Sequence, residues 1–139
     1  MMSMRVRDVM TPMPLVVVRP DDDLRLAGQT MAFTRVRHMP VLENGALLGI
    51  LSERDFIRSL AGPQTPSPTV RSAMHTPVTW IGPDEPLTSA LSLMVSRKIG
   101  CLPVMSSDGL VGMLTTTDLL RQQLYSAFER APAAAEERR

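Results

Sequence analysis

Apolar positions along the chain fall into two matching series. Leu24, Ala27 and Met31 recur at helical spacing, and so do Leu87, Ala90, Leu91 and Met94. Each series follows an acidic helix start, Pro20-Asp21-Asp22-Asp23 or Pro83-Asp84-Glu85-Pro86. Ahead of each lies a β-branched run, Leu15–Val18 or Val78–Ile81, which predicts a strand. A short turn ending in Met10 or Met74 precedes that strand. Two further strands are predicted after each helix, His38–Leu42 with Leu47–Leu51 and Cys101–Met105 with Leu110–Leu114. Asn44-Gly45 and Asp108-Gly109 supply the hairpin turns. Ser52 and Thr115 then stand where an N-cap belongs, opening helices through Ile57–Leu60 and Leu119–Leu124. Each series therefore reads β-α-β-β-α.

The two series are copies. A shift of 63 residues pairs Pro20 with Pro83, Leu24 with Leu87, Met31 with Met94, Pro40 with Pro103, Gly49 with Gly112 and Asp55 with Asp118. Twelve of the 39 positions from Pro20 to Arg58 are identical at this shift, which marks a duplication. The expected organisation is a first repeat over 6–60, a Gly/Pro-rich linker over 61–69, a second repeat over 70–126 and a flexible tail over 127–139. Met31 and Met94 sit on apolar stripes and are expected in the core. The fold class is α+β, two repeats packed through their sheets with pseudo-twofold symmetry.

Composition narrows the function. Fifteen basic residues against 14 acidic give a net charge of +1, too balanced for a dedicated nucleic-acid binder. Cys101 is the single cysteine, so no internal disulfide forms, and we expect a small buried hydrophobe. The first ten residues hold no apolar run that suits a signal peptide, and no stretch of roughly 18 apolar residues exists to span a membrane. The expectation is a cytoplasmic protein. His38, His75 and Cys101 lack zinc-ligand spacing, and no G-x-S-x-G nucleophile motif occurs, so catalysis is not expected.

The helix starts carry the candidate chemistry. A hydroxyl at an N-cap faces free N–H groups and the positive end of the helix dipole, where a phosphate is stabilised. A carboxylate three residues on can accept hydrogen bonds from a vicinal diol. Ser52 with Asp55, and Thr115 with Asp118, thus form candidate ribose-phosphate grips. Val17, Val18, Ile81 and Leu102 are candidate walls for a purine, and Arg37, His38 and Arg54 are candidate phosphate contacts. The competing explanation is a capping box, in which hydroxyl and carboxylate serve only the helix. Trp80 is expected to pack rather than to stack on a base. Nothing near His75 decides its role.

Gly49-Ile-Leu-Ser-Glu-Arg-Asp55 and Gly112-Met-Leu-Thr-Thr-Thr-Asp118 resemble the signature of the CBS domain, a glycine, two apolar residues, Ser or Thr and then Asp. His38-Met-Pro-Val41, Cys101-Leu-Pro-Val104 and Val9-Met10-Thr11-Pro12 look like the family's other landmarks, so the resemblance spans residues 6–124. It implies a tandem pair that binds an adenine nucleotide: AMP, ADP or ATP, or else NAD or S-adenosylmethionine. It also implies a homodimer that regulates a separate effector protein. The family places Asp55 and Asp118 on ribose hydroxyls and Ser52 and Thr115 near phosphate. Each cleft mixes residues of both repeats. On that rule the Asp118 cleft draws His38 and Arg54, the Asp55 cleft draws Cys101 and Thr117 with Arg37, and the Asp118 site is expected to be the stronger. The alternatives are an interaction module with no small ligand and a nucleic-acid-binding CBS protein.

Overall fold

The computed structural model describes residues 4–130. In chain order the elements are α1 (Val6–Val9), β1 (Thr11–Pro12), α2 (Leu24–Thr34), β2 (His38–Glu43), β3 (Ala46–Ser52), α3 (Glu53–Ala61), α4 (Val70–Ala73), α5 (Leu87–Arg97), β4 (Cys101–Ser106), β5 (Gly109–Thr115) and α6 (Thr116–Arg130). β2 and β3 form one antiparallel hairpin sheet, and β1, β5 and β4 form a second, three-stranded sheet. None of the helices among the described residues is long and apolar enough to cross a membrane.

Local sequence explains the ends of these elements. Asp23 caps α2 by accepting the Arg25 N–H at 2.8 Å. The 11-residue helices α2 and α5 stop at Arg35 and Lys98, both left-handed, with φ of 59° and 55°. Asn44 and Gly45 both take positive φ in the first hairpin, as a tight two-residue turn requires. The second hairpin turns one residue earlier than expected. Ser107 and Asp108 make the turn, Ser106 pairs with Gly109, and Gly109 opens β5 at φ 101°.

Leu15–Val18 and Val78–Ile81 do not form strands. Each reaches the sheet through one parallel bridge, Val18 to Val41 and Ile81 to Val104. Pairing also cannot extend downstream. The Arg19 N–H is taken by Asp22 Oδ2 at 2.8 Å and the Gly82 N–H by Glu85 Oε2 at 2.7 Å. The next residues, Pro20 and Pro83, have no N–H to offer. A ladder cannot continue past either bridge. At the other end of the chain, α6 carries residues 127–130, which the sequence assigned to a flexible tail. Residues 131–139 lie outside the described residues.

Two apolar cores result, and each borrows from the other repeat. One holds Val18, Leu24, Ala27, Met31, Met39, Val41 and Leu51 together with Val70 from α4. The other holds Ile81, Ala90, Met94, Leu102, Val104 and Leu114 together with Val6 from α1. The exchange is reciprocal in the backbone. Val6 and Arg7 N–H donate to the carbonyls of Glu85 and Pro83, while Val70 and Arg71 N–H donate to those of Asp22 and Pro20. Continuing from α1, Thr11 and Pro12 pair with Met113 and Gly112 of β5. Continuing from α4, His75 bridges Ile50 of β3. This swap brings chain from both repeats to each helix start.

Candidate functional site

Both signature carboxylates are buried at helix N-termini, and their surroundings differ. At α3, Ser52 N–H donates to Asp55 Oδ2 at 3.0 Å and Asp55 N–H donates back to Ser52 Oγ at 3.0 Å. This is a complete capping box. Among the described residues the other oxygen, Asp55 Oδ1, has only the Arg58 guanidinium at 3.7 Å, an ion pair too long for a hydrogen bond. One oxygen of Asp55 thus keeps its acceptor capacity.

Asp118 is spent. Its Oδ2 accepts the Thr115 N–H at 2.8 Å and the Thr115 hydroxyl at 3.0 Å. Its Oδ1 accepts the Thr11 hydroxyl at 2.7 Å and Arg121 Nη1 at 3.3 Å. A carboxylate has about four lone-pair directions, and all four are taken. The difference traces to the crossing segments. Thr11 faces β5 where His75 faces β3, and a threonine hydroxyl beside the carboxylate closes it from within.

A cleft of about 600 Å³ opens at Asp55. The first repeat contributes Arg37, His38, Ile50, Ser52, Glu53, Arg54, Asp55, Ile57 and Arg58. The crossing segment adds His75, Pro77, Val78 and Thr79, and the second repeat adds Lys98, Ile99, Gly100, Cys101 and Pro103. The cleft has the size of a small-molecule site. Its apolar lining includes Ile50, Val78, Ile99 and Pro103. Its charged lining includes Arg37, Arg54, Lys98 and Asp55.

Several expectations need correction here. His38 and Arg54, assigned to the Asp118 cleft, line the Asp55 cleft beside Arg37. Cys101 is at the Asp55 cleft as expected, but Thr117 is not among its lining residues. Val18, Ile81 and Leu102 are core residues with at most 8% of their surface exposed, and they cannot wall a ligand. Val17 is exposed but does not line the cleft. All four were chosen as apolar residues of expected strands. Trp80 was expected to pack, yet it stays 55% exposed on an open groove beside Ser89, Ser92 and Ser96 of α5. Lys98, Ile99 and Val78 were missed, because which chain end meets which helix start is decided by the swap.

Electrostatics favour a neutral interior. His38 is held below its ordinary value of 6.5, chiefly because burial opposes the imidazolium; Arg37 adds to this, while Asp55 and Glu53 oppose it. Burial, with help from Asp118, pushes the Cys101 thiol up to about 12. The thiol is protonated at neutral pH and is a poor nucleophile. No group of His, Cys, Asp and Glu among the described residues is placed to hold a metal ion.

Known proteins share this fold. The chain is 31% identical over 120 residues to the CBS domain-containing protein YhcV of Bacillus subtilis, covering 86% of this chain and 85% of that one. Other curated relatives are longer, and the chain spans only 13–24% of several of them. Among solved structures, CBSX2 in complex with AMP is 27% identical with a TM-score of 0.75, covering 87% of this chain and 96% of that one. The CBS domain pair of MJ0100, in complex with 5′-methylthioadenosine and S-adenosyl-L-methionine, is 23% identical with a TM-score of 0.80, covering 90% and 99%. The CBS domain model matches residues 6–62 and 70–125, most of the chain, and the protein belongs to the CBS domain family as a tandem pair.

Proposed function

We propose that this protein is a regulatory module of the cytoplasm that binds an adenine nucleotide in the Asp55 cleft and catalyses no reaction itself. The observation that carries the reading is the Oδ1 of Asp55, which accepts no hydrogen bond among the described residues, inside a cleft built by both repeats. That oxygen can accept a ribose hydroxyl, the α3 N-terminus and nearby cations suit a phosphate, and the apolar wall suits a purine. The complex of CBSX2 with AMP supports the ligand class. The protein acts as a homodimer on a separate effector protein.

Isothermal titration with AMP, ADP, ATP, NAD and S-adenosylmethionine tests the reading. We expect binding that Asp55→Ala weakens about ten- to a hundredfold, the range for one lost charge-assisted hydrogen bond of about 1.5–3 kcal/mol. Asp118→Ala should leave that affinity nearly intact while costing more stability, because four hydrogen bonds end on Asp118. A larger affinity loss at Asp118 would overturn the assignment. The two capping boxes favour one other reading, an interaction module without a small ligand. Absence of binding across the whole panel at millimolar concentration would select it.

A further inference from the structure

The charge in the Asp55 cleft exceeds what the fold uses. Arg58 is paired with Asp55. Arg37, Arg54 and Lys98 face the same cleft, and their side chains make no ion pair or hydrogen bond among the described residues. Glu53 is the only other acid on its wall, so unpaired positive charge dominates. Solvated cations are common on any surface. Here three converge from two repeats on one concavity, where their mutual repulsion is unfavourable until an anion enters. The matching positions of the other copy are Gly100 for Arg37, Thr117 for Arg54 and Arg35 for Lys98. The concentration of charge is therefore a property of one cleft and is not imposed by the repeated fold.

We infer that this cleft selects its ligand by charge, accepting a nucleoside phosphate and refusing a neutral or sulfonium nucleoside, with Arg37, Arg54 and Lys98 as the specificity-determining residues. The inference rests on the adenine-nucleotide reading of the site. A purine and ribose alone would satisfy the apolar wall and Asp55 while leaving three cations uncompensated. S-adenosylmethionine sets a sulfonium and an ammonium against a single carboxylate, and its net positive charge adds to the repulsion. A phosphate turns the same repulsion into charge-assisted hydrogen bonds, and it ties Arg37 and Arg54 of the first repeat to Lys98 of the second. Because the three side chains are exposed, the preference is screened by salt over a Debye length of about 8 Å at physiological ionic strength.

The test is calorimetric titration of the full chain with AMP, ATP, adenosine and S-adenosylmethionine at low and high salt. Arg37→Gln, Arg54→Gln and Lys98→Gln are measured alongside, with circular dichroism to confirm folding. The expected result is AMP and ATP binding at least about tenfold tighter than adenosine or S-adenosylmethionine, with the gap narrowing at high salt. Each glutamine variant should weaken the phosphates about tenfold and leave adenosine unchanged. S-adenosylmethionine or adenosine binding as tightly as AMP overturns the inference while the nucleotide reading stands. So does an unchanged AMP affinity in all three variants. Failure of every adenine compound to bind overturns the nucleotide reading and this inference together.

Discussion

His38 shows how one side chain ties the cleft to stability. Its imidazole is held neutral by burial against the pull of Asp55 and Glu53, so the folded protein binds this proton less readily than the unfolded chain does. Above the ordinary value of 6.5 neither state carries it, and the folded state loses nothing. As pH falls below 6.5 the unfolded chain takes up a proton that the folded one resists, and stability drops. We expect the melting temperature without ligand to fall from pH 7.5 to 5.5, and to fall less in His38→Gln. Parallel curves for the two proteins would show that the buried imidazole contributes nothing to acid sensitivity. At the same scale, the spacing of Ser52 with Asp55 and Thr115 with Asp118 was legible because a capping box is local. Which carboxylate stays open was not legible. That depends on Thr11, 107 residues from its partner, and on His75 in the matching place.

Among the elements, the signature glycines explain why the opening segments can cross. A Cβ on Gly49 would lie 2.8 Å from the His75 carbonyl oxygen, and one on Gly112 would lie 2.7 Å from that of Thr11. Neither obstacle is a flexible side chain, so alanine forces the crossing strand away. Overpacking of this kind costs about 1–3 kcal/mol, and each variant should melt several degrees lower. The functional outcomes should differ. Gly49→Ala displaces His75, which lines the cleft, and should lose nucleotide affinity; Gly112→Ala disturbs only the Thr11 side and should keep it. A Gly49→Ala protein that melts and binds like the parent would refute the close approach. The hairpins and long helices were readable from periodicity and turn residues, since those signals act over a few positions. The segments Leu15–Val18 and Val78–Ile81 misled because β-branched composition does not decide pairing, and each makes a single bridge.

At the scale of the whole molecule, the two cores leave large apolar side chains on four helices uncovered. Leu26 and Phe33 on α2, Ile57 and Leu60 on α3, Val95 on α5, and Leu120, Leu124, Tyr125 and Phe128 on α6 are all more than half exposed, Phe33 at 91%. Single exposed apolar residues are ordinary, but nine on four helices of one small chain are not. A second copy is the simplest cover, because a twofold interface buries the same patch on both partners. Light scattering at micromolar concentration should give about twice 15.3 kDa. Charge placed on the longest helix should break the contact, so Leu124→Glu with Phe128→Glu is expected to give a monomer that keeps its far-ultraviolet circular dichroism. Both residues are over half exposed in the single chain, so replacing them opens no cavity in the core. The Asp55 cleft lies within one chain, and the monomeric variant should still bind nucleotide. A parent protein that runs as a clean monomer would refute the dimer and leave the exposed helix faces to another partner. Loss of nucleotide binding in the variant would instead show that the second copy helps to shape the cleft.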